Sequence, residues 1–166
     1  MSERATGLTQ AAQVVRAAGA ARAAGHAALD WALLEAWPTW ALDAADPARR
    51  RHWLRLGAAW HAPALRQCID GECLQAAEDL VGHAVLAAIV ERDAPDGVAT
   101  LPASVELSAQ WLRCGQSLAV AALRPATLRA AVRDAVGAEA SQIDAATAAA
   151  LIAWVETLPV DEALTT

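Results

Sequence analysis

Three cysteines and four histidines are the residues of this chain whose chemistry is most open to question. Cys68 and Cys73 stand in C-x4-C spacing, with His61 upstream and His83 and Cys114 downstream. Zinc ligands normally arrive in C-x2-C or H-x3-H pairs, so this arrangement is a poor zinc signature. Cys68 or Cys114 could pair with His61 or His83 as a nucleophile and base. Such a thiol needs a helix N-terminus or a cation to lower its pKa, and both cysteines sit in helix-interior sequence. Glu72, Glu78, Asp79, Glu91 and Asp93 would be the carboxylates of an acid–base site. Most of them fall opposite an apolar stripe, the signature of a solvated face. The chain contains no Gly-rich phosphate loop, nucleophile elbow or HExxH sequence. Neither an enzyme nor a bound cofactor or metal is expected.

With chemistry unpromising, composition decides the class. A length of 166 residues suits one domain with a real core. The apolar fraction is 56 %, but much of it is alanine, which favours helix more than it fills a core. Lys, Asn, Phe and Tyr are all absent. These residues share AT-rich codons, so the all-arginine cation set reads as a GC-rich genome rather than as a phosphate-binding adaptation. The net charge is −6 and the isoelectric point about 5.1. Nucleic acid and anionic membrane surfaces both reward a basic patch, so neither is the expected partner. No apolar run approaches the ~18 residues that cross a bilayer. Met1-Ser2-Glu3-Arg4 does not open a signal-peptide pattern, because Arg16 and Arg22 interrupt the apolar residues after it. The odd number of cysteines fits a reducing cytoplasmic location.

No strand-like alternation appears, and the breakers are spaced for helices. The expected fold is all-α, a single compact domain of about six helices with short loops. Its parts would be an Ala-rich, partly disordered segment over 1–28, a helical domain over 29–158 and a flexible tail over 159–166. A helix from about Thr9 to Trp37 would stop before Pro38. Asp46 and Pro47 would open the next, Ala48 to His61, with Trp53, Leu56, Gly57 and Trp60 on one face. A short helix, Ala64 to Ile69, precedes Asp70, a cap for a long helix from Glu72 to Arg92 striped by Leu74, Ala77, Val81, Val85 and Ile89. The clearest loop is Asp93 to Gly97. Ser104 opens a helix to about Leu123, in which Gly115 and Ser117 would admit a neighbouring backbone. Pro125 and Asp144 open the last two.

The tryptophans and the arginine run are the candidates for partner contact. Trp53, Trp60, Trp111 and Trp154 lie on apolar stripes and are assigned to the core. Trp31, Trp37 and Trp40 crowd the weakest helix and its exit, where packing needs fewer large side chains. Ordinary packing is the first reading of Trp37 and Trp40, but because tryptophan is enriched at interface anchors they are also the candidate partner-binding residues. Arg49, Arg50 and Arg51 stand in the first turns of a helix, against its dipole; a solvated face is the first reading, and an acidic partner or neighbour the second.

Two segments give a more specific reading. RLGAAWHAPALRQCI places Arg55, Leu56, Gly57, His61, Arg66 and Cys68 in the order R-L-G-x-x-x-H followed by R-x-C, with Ile69 next. LPASVELSAQWLRCGQSLAVAAL places Leu101, Pro102, Val105, Glu106, Gly115, Leu118, Ala119 and Ala122 in a second pattern. Together they resemble the SctK (YscK-type) family of type III secretion systems, over about Ala48 to Val136. The N-terminal region is shorter than is usual in that family, and the helix after the second segment ends in Val136-Gly137 instead of leucine-proline. The resemblance implies a non-enzymatic, all-helical adaptor of the injectisome's sorting platform. It would act in the cytoplasm, at the inner membrane when assembled, and link the ring protein SctD to the pod protein SctQ. The alternative is a small helical secretion chaperone or another single-partner binding module.

Overall fold

The computed structural model describes residues 2–26, 29–42, 46–91, 93, 97–138 and 143–159. Among these residues the chain is all-helical, with nine α-helices and no strand. They are α1 (Ser2–Ala23), α2 (Trp31–Glu35), α3 (Pro47–Trp60), α4 (Ala62–Gln67), α5 (Gly71–Val81), α6 (His83–Glu91), α7 (Leu107–Ala121), α8 (Ala126–Val136) and α9 (Ala145–Glu156). Short 3-10 turns occupy Thr39–Ala41 and Ser104–Glu106.

The count exceeds the expected six or so because the short helix near Ala64 to Ile69 forms as an element of its own and glycine breaks two of the longer expected helices. Gly25 has φ +87°. Its amide donates to the Arg22 carbonyl at 3.1 Å, and the His26 amide reaches back to Ala21 at 2.8 Å. These paired bonds satisfy the last carbonyls of α1 and turn the chain away. Gly82, at φ +89° and ψ 151°, occupies a region open almost only to glycine. It separates α5 from α6, whose axes differ by 116°. Other expected boundaries are in place. Pro47 opens α3. The Asp70 carboxylate accepts from the Glu72 amide at 3.0 Å and caps α5, while Asp144 accepts from the Ala146 and Thr147 amides at 2.9 and 3.0 Å and caps α9.

The contacts gather into two compact units: Met1–Asp46 with Leu123–Ala140, and Pro47–Ala122 with Ser141–Thr166. In the first unit α1 packs against α2 and α8, and the Thr39–Ala41 turn packs against α8. The segment expected to be frayed is therefore helical over Ser2–Ala23. Val14, Ala17 and Ala21 form a narrow buried face on it, spaced for one side of a helix. Leu34, Trp37, Leu128, Ala131 and Val132 complete that core. The second unit is centred on α3 and α7, with α5, α6 and α9 around them and α4 against α6. Leu56, Leu65, Val85, Ile89, Leu107, Trp111, Leu118 and Leu151 are each no more than 2 % exposed there.

No single described helix is long and apolar enough to cross a membrane. The tail from residue 160 and most of the loop expected at Asp93 to Gly97 lie outside the described residues.

Candidate functional site

The centre of the second unit is a crossing made possible by two glycines. A Cβ on Gly57 would meet the carbonyl oxygen of Trp111 and lie 2.6 Å from its Cα. A Cβ on Gly115 would meet the carbonyl oxygen of Trp53 and lie 2.7 Å from its Cα. The relation is reciprocal: each helix offers a glycine where the other offers the backbone of a tryptophan. Gly115 thus has the role expected of it. The large indoles flank the contact and fill the space beside it.

His61 closes the end of α3. Its Nδ1 donates to the Gly57 carbonyl at 2.7 Å, and its ring lies 6.3 Å from the Trp111 ring at an interplanar angle of 35°. Burial lowers its pKa, against the smaller opposing effect of the Gly57 hydrogen bond. His52, on the same helix, is also lowered by burial. There Glu156 pulls the other way and Arg55 adds to the depression. A neutral imidazole that packs an aromatic ring and ties off a carbonyl holds the crossing in shape.

The residues singled out for partner contact fall in different units. Trp37 is 1 % exposed and belongs to the core of the first unit, so its indole offers no surface to a partner in this arrangement. Gln13 donates to its carbonyl at 2.8 Å. Trp40 is half-buried. In the second unit Arg49 is buried, with its guanidinium 4.7 Å from the centre of the Trp53 ring one turn away. That cation–π contact is worth ~0.5–2 kcal/mol. Arg49 is therefore buried within its own unit instead of lying on a solvated face. Spacing i, i+4 made this pairing visible in the sequence. Arg50 is exposed and reaches Ser108 at 3.5 Å, and Arg51 is half-buried. Of the tryptophans assigned to the core, Trp111 is fully buried, whereas Trp53, Trp60 and Trp154 are half-buried.

Comparison with known proteins brings no match, whether to a family model, a curated protein or a solved structure. The chemistry must be judged from this chain alone.

Two of its three thiols, Cys73 and Cys114, are poorly suited to nucleophilic work. None of the three is in a disulfide. Burial pushes the Cys114 pKa up to about 12, and burial with the neighbouring Cys68 thiol raises that of Cys73. A thiol so shifted is almost wholly protonated near neutral pH. Three of the five carboxylates considered for acid–base work are tied locally: Glu72 accepts from Ser104 at 3.1 Å, Asp79 from Gln75 at 3.1 Å, and Glu78 lies 3.3 Å from His83. Among the described residues no three His, Cys, Asp or Glu side chains gather as a metal site would require. The second unit also carries an open groove of about 330 Å³ between α4, α5 and α6, lined by Leu65, Cys68, Leu74, Leu86 and Val90 among others. Arg66, Glu78 and His83 also line it, so its walls are mainly apolar with three polar side chains among them.

Proposed function

We propose that this chain is a non-enzymatic adaptor of a type III secretion sorting platform, related to the SctK family. In this reading it works in the cytoplasm at the inner membrane and links an SctD-like ring protein to an SctQ-like pod protein. The supporting observation is the α3–α7 crossing. The two segments that resemble the family are far apart in sequence, yet Gly57 of one meets Trp111 of the other, and Gly115 meets Trp53. His61, a matched position of the first segment, packs against Trp111 within the second. Two patterns that make one structural unit are a stronger resemblance than two patterns that do not touch. The raised pKa values of Cys73 and Cys114 and the locally bonded carboxylates are compatible with a binding role.

The test is co-purification of the tagged full chain with SctQ-like and SctD-like proteins from cells that carry a type III system. Recovery of both supports the adaptor. Loss of both refutes it. Recovery of one secreted client instead, released before assembly, would make the chain a chaperone.

A further inference from the structure

In the second unit most branched apolar side chains are withdrawn from water, with Val81, Val85 and Ile89 at 1 % exposure or less. Ile69 is 99 % exposed and Val105 is 88 % exposed. One such residue on a surface is unremarkable. These two belong to segments drawn to the same edge, because Ser104, beside Val105, donates to Glu72, three residues beyond Ile69, at 3.1 Å. The Ser104–Glu106 turn packs directly against α5.

The edge is held firmly. Asp70 caps α5 through the Glu72 amide, and the Cys68 thiol reaches the Asp70 carbonyl at 3.7 Å. On the other side Gln110 donates to Glu106 at 3.2 Å. The backbone these bonds tie presents Ile69 and Val105 to water. Around them stand three exposed carboxylates, Asp70, Glu72 and Glu106. None of the three is in an ion pair among the described residues. The groove between α4, α5 and α6 opens one residue away, at Cys68.

We propose that this edge docks an amphipathic helix of another protein, with Ile69 and Val105 under its apolar stripe and arginine or lysine beside that stripe. Charge complementarity selects this occupant: an apolar contact set among unpaired carboxylates rejects an acidic helix and attracts a basic one. A second copy of this chain, at net charge −6, would approach against the same field. The inference goes beyond the adaptor reading, since it rests on this surface whichever protein supplies the helix.

The experiment uses the full chain and three labelled helical peptides of about five turns, read by fluorescence anisotropy. One carries a leucine stripe flanked by arginine, one the same stripe flanked by glutamate, and one the arginines with a serine stripe. The first is expected to bind and the other two are not. Its affinity should fall about tenfold or more in Ile69→Ser with Val105→Ser. A similar fall is expected in Glu72→Gln with Glu106→Gln, which leaves an acceptor for Ser104. All four substituted side chains are exposed or at the surface edge, so the helical circular dichroism and melting temperature should be unchanged. Three results would overturn the proposal: no binding of the leucine–arginine peptide, equal binding of the serine-stripe peptide, or unchanged affinity in Ile69→Ser with Val105→Ser. Sedimentation showing a dimer of the wild type that the Ile69→Ser, Val105→Ser variant cannot form would assign the edge to a second copy and overturn it as well.

Discussion

Gly57 faces the backbone of Trp111 so closely that a single methyl group on Gly57 would overlap the main chain of α7. The reciprocal contact, Gly115 on Trp53, makes the crossing intolerant of side chains at both points. Gly57→Ala and Gly115→Ala should each destabilise the protein by ~1–3 kcal/mol, since the obstacle is main chain and cannot rotate away. Alanine also gains helix propensity of ~1 kcal/mol over glycine, so at an open helical site the same change would stabilise. Gly19, whose added Cβ would meet nothing within 4 Å, supplies that control. Urea unfolding of the three variants checks the sign. Equal stabilisation at all three positions would show that the helices do not meet at the glycines.

Trp37 and Trp40 separate a core role from a surface role. Trp37 is 1 % exposed and belongs, with Val14, Ala17, Leu34 and Val132, to the buried residues of the first unit, whereas Trp40 is half-buried. Trp37→Ala should cost ~3–5 kcal/mol, the usual result of emptying a large buried site. Trp40→Ala should cost less than about 2 kcal/mol. Thermal unfolding followed by circular dichroism distinguishes them. A Trp37→Ala variant that melts with the wild type but loses a partner would return Trp37 to the interface.

The elements that local chemistry controls were legible in the sequence. Asp70 and Asp144 cap their helices because a short carboxylate before an apolar run has little else to do. Val81, Val85 and Ile89 are buried, as their stripe required. The stripe nevertheless runs across two helices, because i, i+4 spacing is preserved on either side of Gly82 and periodicity alone cannot reveal a 116° bend. Assignment of α8 to the unit of α1 and α2 was not legible at all: its amphipathic face records that it packs, not against what. The same limit explains the tryptophans. Trp37 reads as a surplus aromatic in a weak helix, and only the fold shows it 1 % exposed in the unit that α1, α2 and α8 share. Ile69 read as one more apolar residue at a helix end, and only the folded backbone shows that it points into water.

His61 makes stability depend on pH in a definite window. Burial lowers its folded-state pKa, and that of His52, below the ordinary value near 6.5 that each takes in the unfolded chain. Above that value both states are neutral and pH has no effect through these groups. As pH falls through about 6.5 the unfolded chain takes up protons that the folded chain refuses, so the unfolded state gains and stability drops. Each histidine can contribute at most ~1.4 kcal/mol per pH unit in that interval. Asp134 and Asp144 act elsewhere. Their pKa values are lowered, for Asp134 chiefly by the His26 hydrogen bond and for Asp144 chiefly by the Thr147 hydroxyl, so their contribution is lost only in more acid solution, below the ordinary carboxylate range. Urea midpoints measured at pH 7.5 and 5.5 should therefore fall in the wild type and fall less in His61→Leu, which cannot titrate. A variant with the same pH dependence as the wild type would mean that His61 takes up its proton as readily in the fold as in the unfolded chain, against the lowering by burial.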